Sequence, residues 1–217
     1  MRFTRLGKQA AAVATTAIVA SALGAAPAQA AGRHPLKTRS LAAVLTADKS
    51  GFDRNGRDYD ILTAAVTAVL KAKPGSKVAV LADGKVPLTA FLPNDRAFRG
   101  LVADITHTRK LPGERKAFTA VAGLGIDTVE AVLLYHVVPG AAITRKAALR
   151  SDNVKLTTAA GSKIKVNVYG PRRHQRISLI DADRSDRNPR INRFDINKGN
   201  RQIAHGIDRV LRPIDLP

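Results

Sequence analysis

In DILTAAVTAVLKAKPG, apolar residues recur at Leu62, Ala65, Val66, Val69 and Leu70. This three-and-four spacing predicts an amphipathic helix, capped by Asp60 and stopped by Pro74-Gly75. The next stretch, KVAVLADGKVPLTAFL, is richer in β-branched and aliphatic residues. Its Asp83-Gly84 pair is a two-residue turn that matches strand twist, so a hairpin is expected, with Pro87 at an edge or bulge. Ser40 before LAAVL predicts a short capped helix. A helical segment follows Phe98 to about Ile105, and a further helical turn covers Lys116 to Val121. TVEAVLLYHVV reads as another helix, with Asp127 and Glu130 as a capping box and Pro139-Gly140 as its end.

From Val154 the pattern alternates. Ile164, Val166 and Val168 interleave with Lys163, Lys165 and Asn167, giving a half-buried strand with a charged outer face. VKLTT precedes this strand, ISLI follows it, and QIAHGIDRVL supplies the last one. DADRSDRNPRINRFDINKGN reads as a long polar segment. Helices therefore fill the first half and strands the second, which predicts an α+β fold with mainly antiparallel pairing. With no internal repeat or linker, residues 40–217 read as one domain, preceded by a flexible basic stretch over 31–39.

The first thirty residues have the character of a signal peptide. Arg2, Arg5 and Lys8 lead an apolar run from Ala10 to Ala26, and Ala28-Gln29-Ala30 makes a small-x-small cleavage site. The run is too short and too Ala-rich for a membrane span, and no later stretch offers one. A secreted, soluble mature chain beginning at Ala31 is expected. The sequence has no cysteine, so it forms no disulfides and carries no cysteine-linked lipid anchor. With RPIDLP at its end, no hydrophobic anchoring tail is expected.

The net charge of +19 points to anionic polymers as partners. Nucleic acid is disfavoured, because the three tyrosines and six phenylalanines form no interleaved Arg/aromatic run for base stacking. The positive charge is densest from Pro171 to Arg201. Arg172, Arg173, Arg176, Arg184, Arg187, Arg190 and Arg193, with Lys198 and Arg201, face only Asp181, Asp183, Asp186 and Asp195 there. That stretch is either a solvated loop face or a docking face for an anionic polymer.

Catalytic and metal signatures are absent. No Gly-x-Ser-x-Gly occurs, and Gly123 and Gly125 lack the third glycine of a dinucleotide loop. The histidines at 34, 107, 136, 174 and 205 form no ligand pair. The acids of KSGFDRNGRDYD resemble a calcium loop, but Gly56 comes too early and no glutamate ends it. Asp181, Asp183 and Asp186 alternate with Arg184 and Arg187, which favours arginine–aspartate pairing over a cation site. No metal and no cofactor are expected. A cation at His136 would be favoured by a helix C-terminus. His205 and Asp208 lie at an odd offset along a strand, so they face opposite ways. Structural roles are preferred for both histidines, with a small-molecule or enzymatic role for His136 or His205 as the alternative.

Four segments carry a family likeness in order: SLAAVL, TAFLPNDRAF, LLYHVVPG and AHGIDRVLRP. Thr89, Phe91, Pro93, Asp95, Ala97 and Phe98 form one box; Tyr135, His136 and Pro139-Gly140 a second; His205, Ile207, Asp208, Val210, Leu211 and Pro213 a third. Together they resemble a fasciclin-like (fasciclin I) domain from Ser40 to about Pro213. Arg201 stands where the family's pattern has glycine, and one extra residue precedes His205. The resemblance implies a β-sandwich-like wedge with helices around it, and a non-enzymatic role in adhesion to cell-surface or matrix polymers or proteins. Self-association is a further possibility. In animal members the regions matching Tyr135, His136, Asp195 and Ile196 are associated with receptor binding. In TAFLPNDRAF, Phe91 should point inward and Pro93 should end the strand. Asn94 or Asp95 should then cap the next helix, whose first turn brings Phe98 back to the core.

Overall fold

The structure is a computed structural model that describes residues 35–214. The expected signal peptide, 1–30, lies outside these residues. Helices α1 (Leu41–Leu45), α2 (Asp60–Ala72), α3 (Asp95–Ile105), α4 (Glu114–Ala122) and α5 (Ile126–Tyr135) form one layer. The middle layer is a mixed sheet of β1 (Leu88–Pro93), β2 (Val137–Pro139), β6 (Ile191–Ile196) and β7 (Gln202–Ile207), in the order β2-β1-β7-β6. A second sheet, β3 (Lys155–Thr157), β4 (Lys163–Tyr169) and β5 (Arg176–Ile180), covers its other face. The short helix α6 (Arg145–Ala148) lies between β2 and β3 in sequence. The fold is α+β as expected. Pairing between these strands is antiparallel, except at the centre of the mixed sheet, where β1 and β7 run parallel over six residue pairs.

Strands β1 and β7 are buried at every position, because both faces of their sheet are covered. Leu88, Ala90 and Leu92 of β1 face the helical core, whereas Phe91 enters the core shared with β4 and β5. On α2 the predicted stripe is in place, with Leu62, Ala65, Val66 and Val69 buried. Ile164 and Val166 of β4 are buried, as the alternation predicts.

Several local expectations are corrected. KVAVLA is not a strand. Lys77–Ala82 is a 3-10 helix capped by the Ser76 hydroxyl, which accepts from the Val78 amide. Its three-residue period puts Val78 and Leu81 together in the helical core. Gly84 is needed for another reason than a hairpin: a Cβ there would lie 1.7 Å from the Thr38 carbonyl oxygen. The Asp127/Glu130 capping box does not form. Gly125 is the cap residue of α5, and both carboxylates instead bind the Lys73 ammonium. Helix α5 also ends at Tyr135, where the β-branched pair Val137-Val138 turns into β2 and buries one side chain in each core. The polar segment hides β6, whose pairing with β7 is broken by register shifts.

Part of the basic stretch 31–39 is held. The Lys37 amide donates to the Gly199 carbonyl and the Arg201 amide to the Lys37 carbonyl, both at 2.9 Å. Gln202, fully buried on β7, fastens this end of the domain. Its Oε1 accepts the Leu41 amide, and its Nε2 donates to the carbonyls of Val80 and Asp83.

Candidate functional site

The strand-to-helix joint sits at the middle of the fold. Thr89, buried on β1, donates its hydroxyl to the Ala141 carbonyl at 2.7 Å and accepts the Ile143 amide at 2.8 Å. Phe91 packs beside the His205 ring, and Pro93 closes the strand where a ladder amide is no longer required. Asn94 is the cap of α3: its side-chain oxygen accepts the Ala97 amide at 2.9 Å. Asp95 is in the first turn of α3 but caps α2, accepting the Ile61 amide at 2.9 Å and the Asp60 amide at 3.2 Å. Tyr59, not Asp60, precedes that helix, and its side chain makes no capping bond. Phe98 enters the helical core.

The Tyr-His pair is interior. Tyr135 is 0% and His136 4% exposed. The Leu211 amide donates to His136 Nε2 at 2.9 Å, so the ring proton is on Nδ1, which donates to the Val132 carbonyl at 2.7 Å. Burial pushes this imidazole down to about 4, so it is neutral and not the cation a helix C-terminus would favour. Its task is to tie the end of α5 to the segment after β7. Burial, with the nearby Asp181 carboxylate, raises the Tyr135 phenol to about 12.

His205 repeats the arrangement with the nitrogens exchanged. Nδ1 accepts the Asp195 amide at 3.2 Å and Nε2 donates to the Ile143 carbonyl at 2.8 Å. Burial holds its pKa below the usual value. Both ring nitrogens of both histidines are therefore committed to backbone groups. Asp208 lies just beyond β7, and its carboxylate accepts the Arg190 amide at 2.7 Å. Asp195 and Ile196 are the half-exposed last residues of β6, and Asp195 adopts a φ of 59° there. The Asp195 carboxylate accepts the Arg145 amide at the start of α6, and Phe194 lies edge-on to His205 beneath the Arg145 guanidinium.

All seven arginines of the predicted cluster are exposed. The acids among them turn toward the end of the chain. Asp183 and Asp186 pair with Arg212, Asp186 also binds Arg209, and Asp181 accepts the Arg212 amide. Arg209 and Arg212 carried no signal in the sequence, since their partners lie over twenty positions away. The arginines are spread over several elements. Arg172 and Arg173 lie in the β4–β5 connection, Arg176 opens β5, and Arg190 bridges to Ser178 of β5. Arg193 instead lies in a groove with Asp48, Tyr59 and Leu92.

The sequence model of the fasciclin domain matches residues 61–213. The chain belongs to the fasciclin domain family. A solved structure of a FAS1 domain pair from the insect cell adhesion molecule fasciclin I is similar, with a TM-score of 0.43 and 15% identity. The match covers 70% of this chain and 43% of that one. No curated protein matches. Among the described residues of this fasciclin domain, no single helix is long and apolar enough to cross a membrane.

Among the described residues, two groups of acids could hold a metal ion. Asp53, Asp60 and Glu114 each bring a carboxylate oxygen within 4.8 Å of the others, and Asp58, Asp60 and Asp95 do the same. The local spacing of Lys49–Asp60 hid this arrangement, because Asp95 and Glu114 arrive from α3 and α4.

Proposed function

We propose that this fasciclin domain is a non-catalytic adhesion module of the extracellular or cell-surface space, binding anionic surface or matrix polymers through its arginine-rich face. Fasciclin domains are associated with cell adhesion. The observation that carries the polymer reading is the division of charge around 171–201. The arginines point outward, whereas Asp183 and Asp186 are drawn inward by Arg209 and Arg212. A face of this kind attracts polyanions from a distance and loses its grip as salt rises. The Asp195–Ile196 end of β6 is half-exposed and can add contacts, whereas Tyr135 and His136 act from the interior, where the His136 ring accepts the Leu211 amide and its carbonyl accepts the Phe91 amide of β1.

The test is retention of the protein on an immobilised anionic polysaccharide, eluted with rising salt. Retention at low salt and release before about 1 M salt, where the screening length is about 3 Å, are expected. Reversal of Arg172, Arg173, Arg176, Arg187 and Arg190 to Glu should abolish it. Absence of retention at low salt, or unchanged retention of the reversed protein, sinks the proposal.

A further inference from the structure

The carboxylates beside the joint hold oxygens that no hydrogen bond satisfies. Asp60 Oδ2 and Glu114 Oε1 are buried without a partner, and the Asp58 carboxyl, whose Oδ1 is buried as well, has only the Asp95 carboxyl within hydrogen-bonding reach. Glu114 keeps 3% and Asp60 8% of its exposure. A buried polar atom of this kind costs free energy unless something binds it. Two of the other oxygens are held by backbone amides, which helps to fix Glu114 and Asp53 in place. Glu114 Oε2 accepts the Asp53 amide at 2.6 Å, and Asp53 Oδ1 accepts the Asn55 amide at 2.5 Å. The Asp95 carboxylate is taken by the first amides of α2.

The oxygens that converge are spaced as ligands of one ion. Oxygens bonded to calcium at about 2.3–2.6 Å lie no more than roughly 5 Å apart. The separations of up to 4.8 Å among Asp53, Asp60 and Glu114 meet that condition. The donor set is oxygen only, which selects a hard cation, and an irregular loop suits calcium better than the strict octahedron of magnesium. Burial and neighbouring carboxylates push Asp60 up to about 6 and raise Glu114 as well, so the group carries mutual repulsion at neutral pH. Arg99 opposes this repulsion at Glu114, but by less than the Asp53 and Asp58 carboxylates promote it. Asp53 is exposed and gives an ion its way in.

We propose that Asp53, Asp60 and Glu114, with Asp58 beside them, bind one calcium-class divalent cation that fastens the 53–60 loop to α2 and α4. The experiment is calorimetric titration of chelator-stripped protein with calcium chloride and, separately, magnesium chloride, together with thermal unfolding. One calcium per chain and weaker magnesium binding are expected. At about 100-fold excess over Kd, calcium should raise Tm by about 5–10 °C. Glu114→Gln and Asp60→Asn should each abolish that response without lowering the metal-free Tm, because each removes a repelling charge. Terbium titration of the unaltered protein, with displacement by calcium, reads the same site if a variant does not fold. Absence of both calcium heat and terbium binding would overturn the proposal and assign the neutralisation to protons. Undiminished calcium binding by folded Glu114→Gln would overturn it too.

Discussion

Asp95 accepts the backbone amide of Ile61 at 2.9 Å across a separation of 34 residues, so a residue in the first turn of α3 caps α2. Asn94, its neighbour, caps α3 in the ordinary local way. The two differ in what their loss exposes. Asn94→Ala removes one local cap and should cost about 1 kcal/mol. Asp95→Ala strips two buried amides of their shared acceptor and should cost about 2–3 kcal/mol. Chemical denaturation of the two variants measures both. Equal losses would mean that the contact between helices adds nothing beyond a local cap. Polymer retention should survive in both variants, since neither residue is on the arginine-rich face.

Features written in local periodicity were legible in the sequence. The stripe on α2, the alternation on β4 and the Pro93-Asn94 joint all appear as predicted, because each depends on neighbours a few residues away. Non-local burial was not legible. The apolar run at 77–82 looked like a strand, yet it is wound as a 3-10 turn by the core that receives Val78 and Leu81. Strand β6 looked like a polar loop, because Asn192 and Arg193 are exposed and only its pairing with β7 defines it. The same holds for the candidate sites. The arginines could be counted in advance, but the partners of Asp183 and the arrival of Glu114 beside Asp60 are products of folding.

His136 sets a pH dependence with a definite sign. Its pKa is about 4 in the folded protein and about 6.5 when unfolded. Between these values the unfolded chain binds the extra proton, so stability is full above 6.5 and falls as pH drops toward 4. The total is about 3 kcal/mol. Asp60 and Asp181, both raised to about 6, act in the opposite direction: their contribution is present below about 4 and is lost as pH rises through 6. Comparison with His136→Gln isolates the histidine. Between pH 7 and 4.5 the unaltered protein should lose about 2–3 kcal/mol more than the variant. Denaturation curves that shift in parallel would contradict a neutral buried His136.

Arg212 is the hub that turns the loop acids inward. Its guanidinium binds Asp183 at 3.0 Å and Asp104 at 2.7 Å, with Asp186 at 3.3 Å, and its side chain is 8% exposed. Asp183 is more deeply buried still. Arg212→Met would leave that carboxylate in the interior without this partner, at a cost of about 3–5 kcal/mol. Adding Asp183→Asn should recover part of the loss, because the stranded charge is gone. A double variant no more stable than Arg212→Met alone would place the cost in lost packing rather than in the ion pair.

The geometry separates two arginines that the sequence grouped together. Arg173 lies in the β4–β5 connection, whereas Arg193 shares a groove with Asp48 and Tyr59. Arg173→Glu and Arg193→Glu change the net charge equally, so their effects on the long-range field of the protein are alike. Any difference in polymer retention therefore reads local contact. Arg173→Glu should elute at clearly lower salt than Arg193→Glu, which should elute only slightly before the unaltered protein. Equal shifts would mean that retention follows net charge and that no particular face is used. A larger shift for Arg193→Glu would move the contact to the groove beside Tyr59, and with it the adhesive surface from β5 to the outer side of β6.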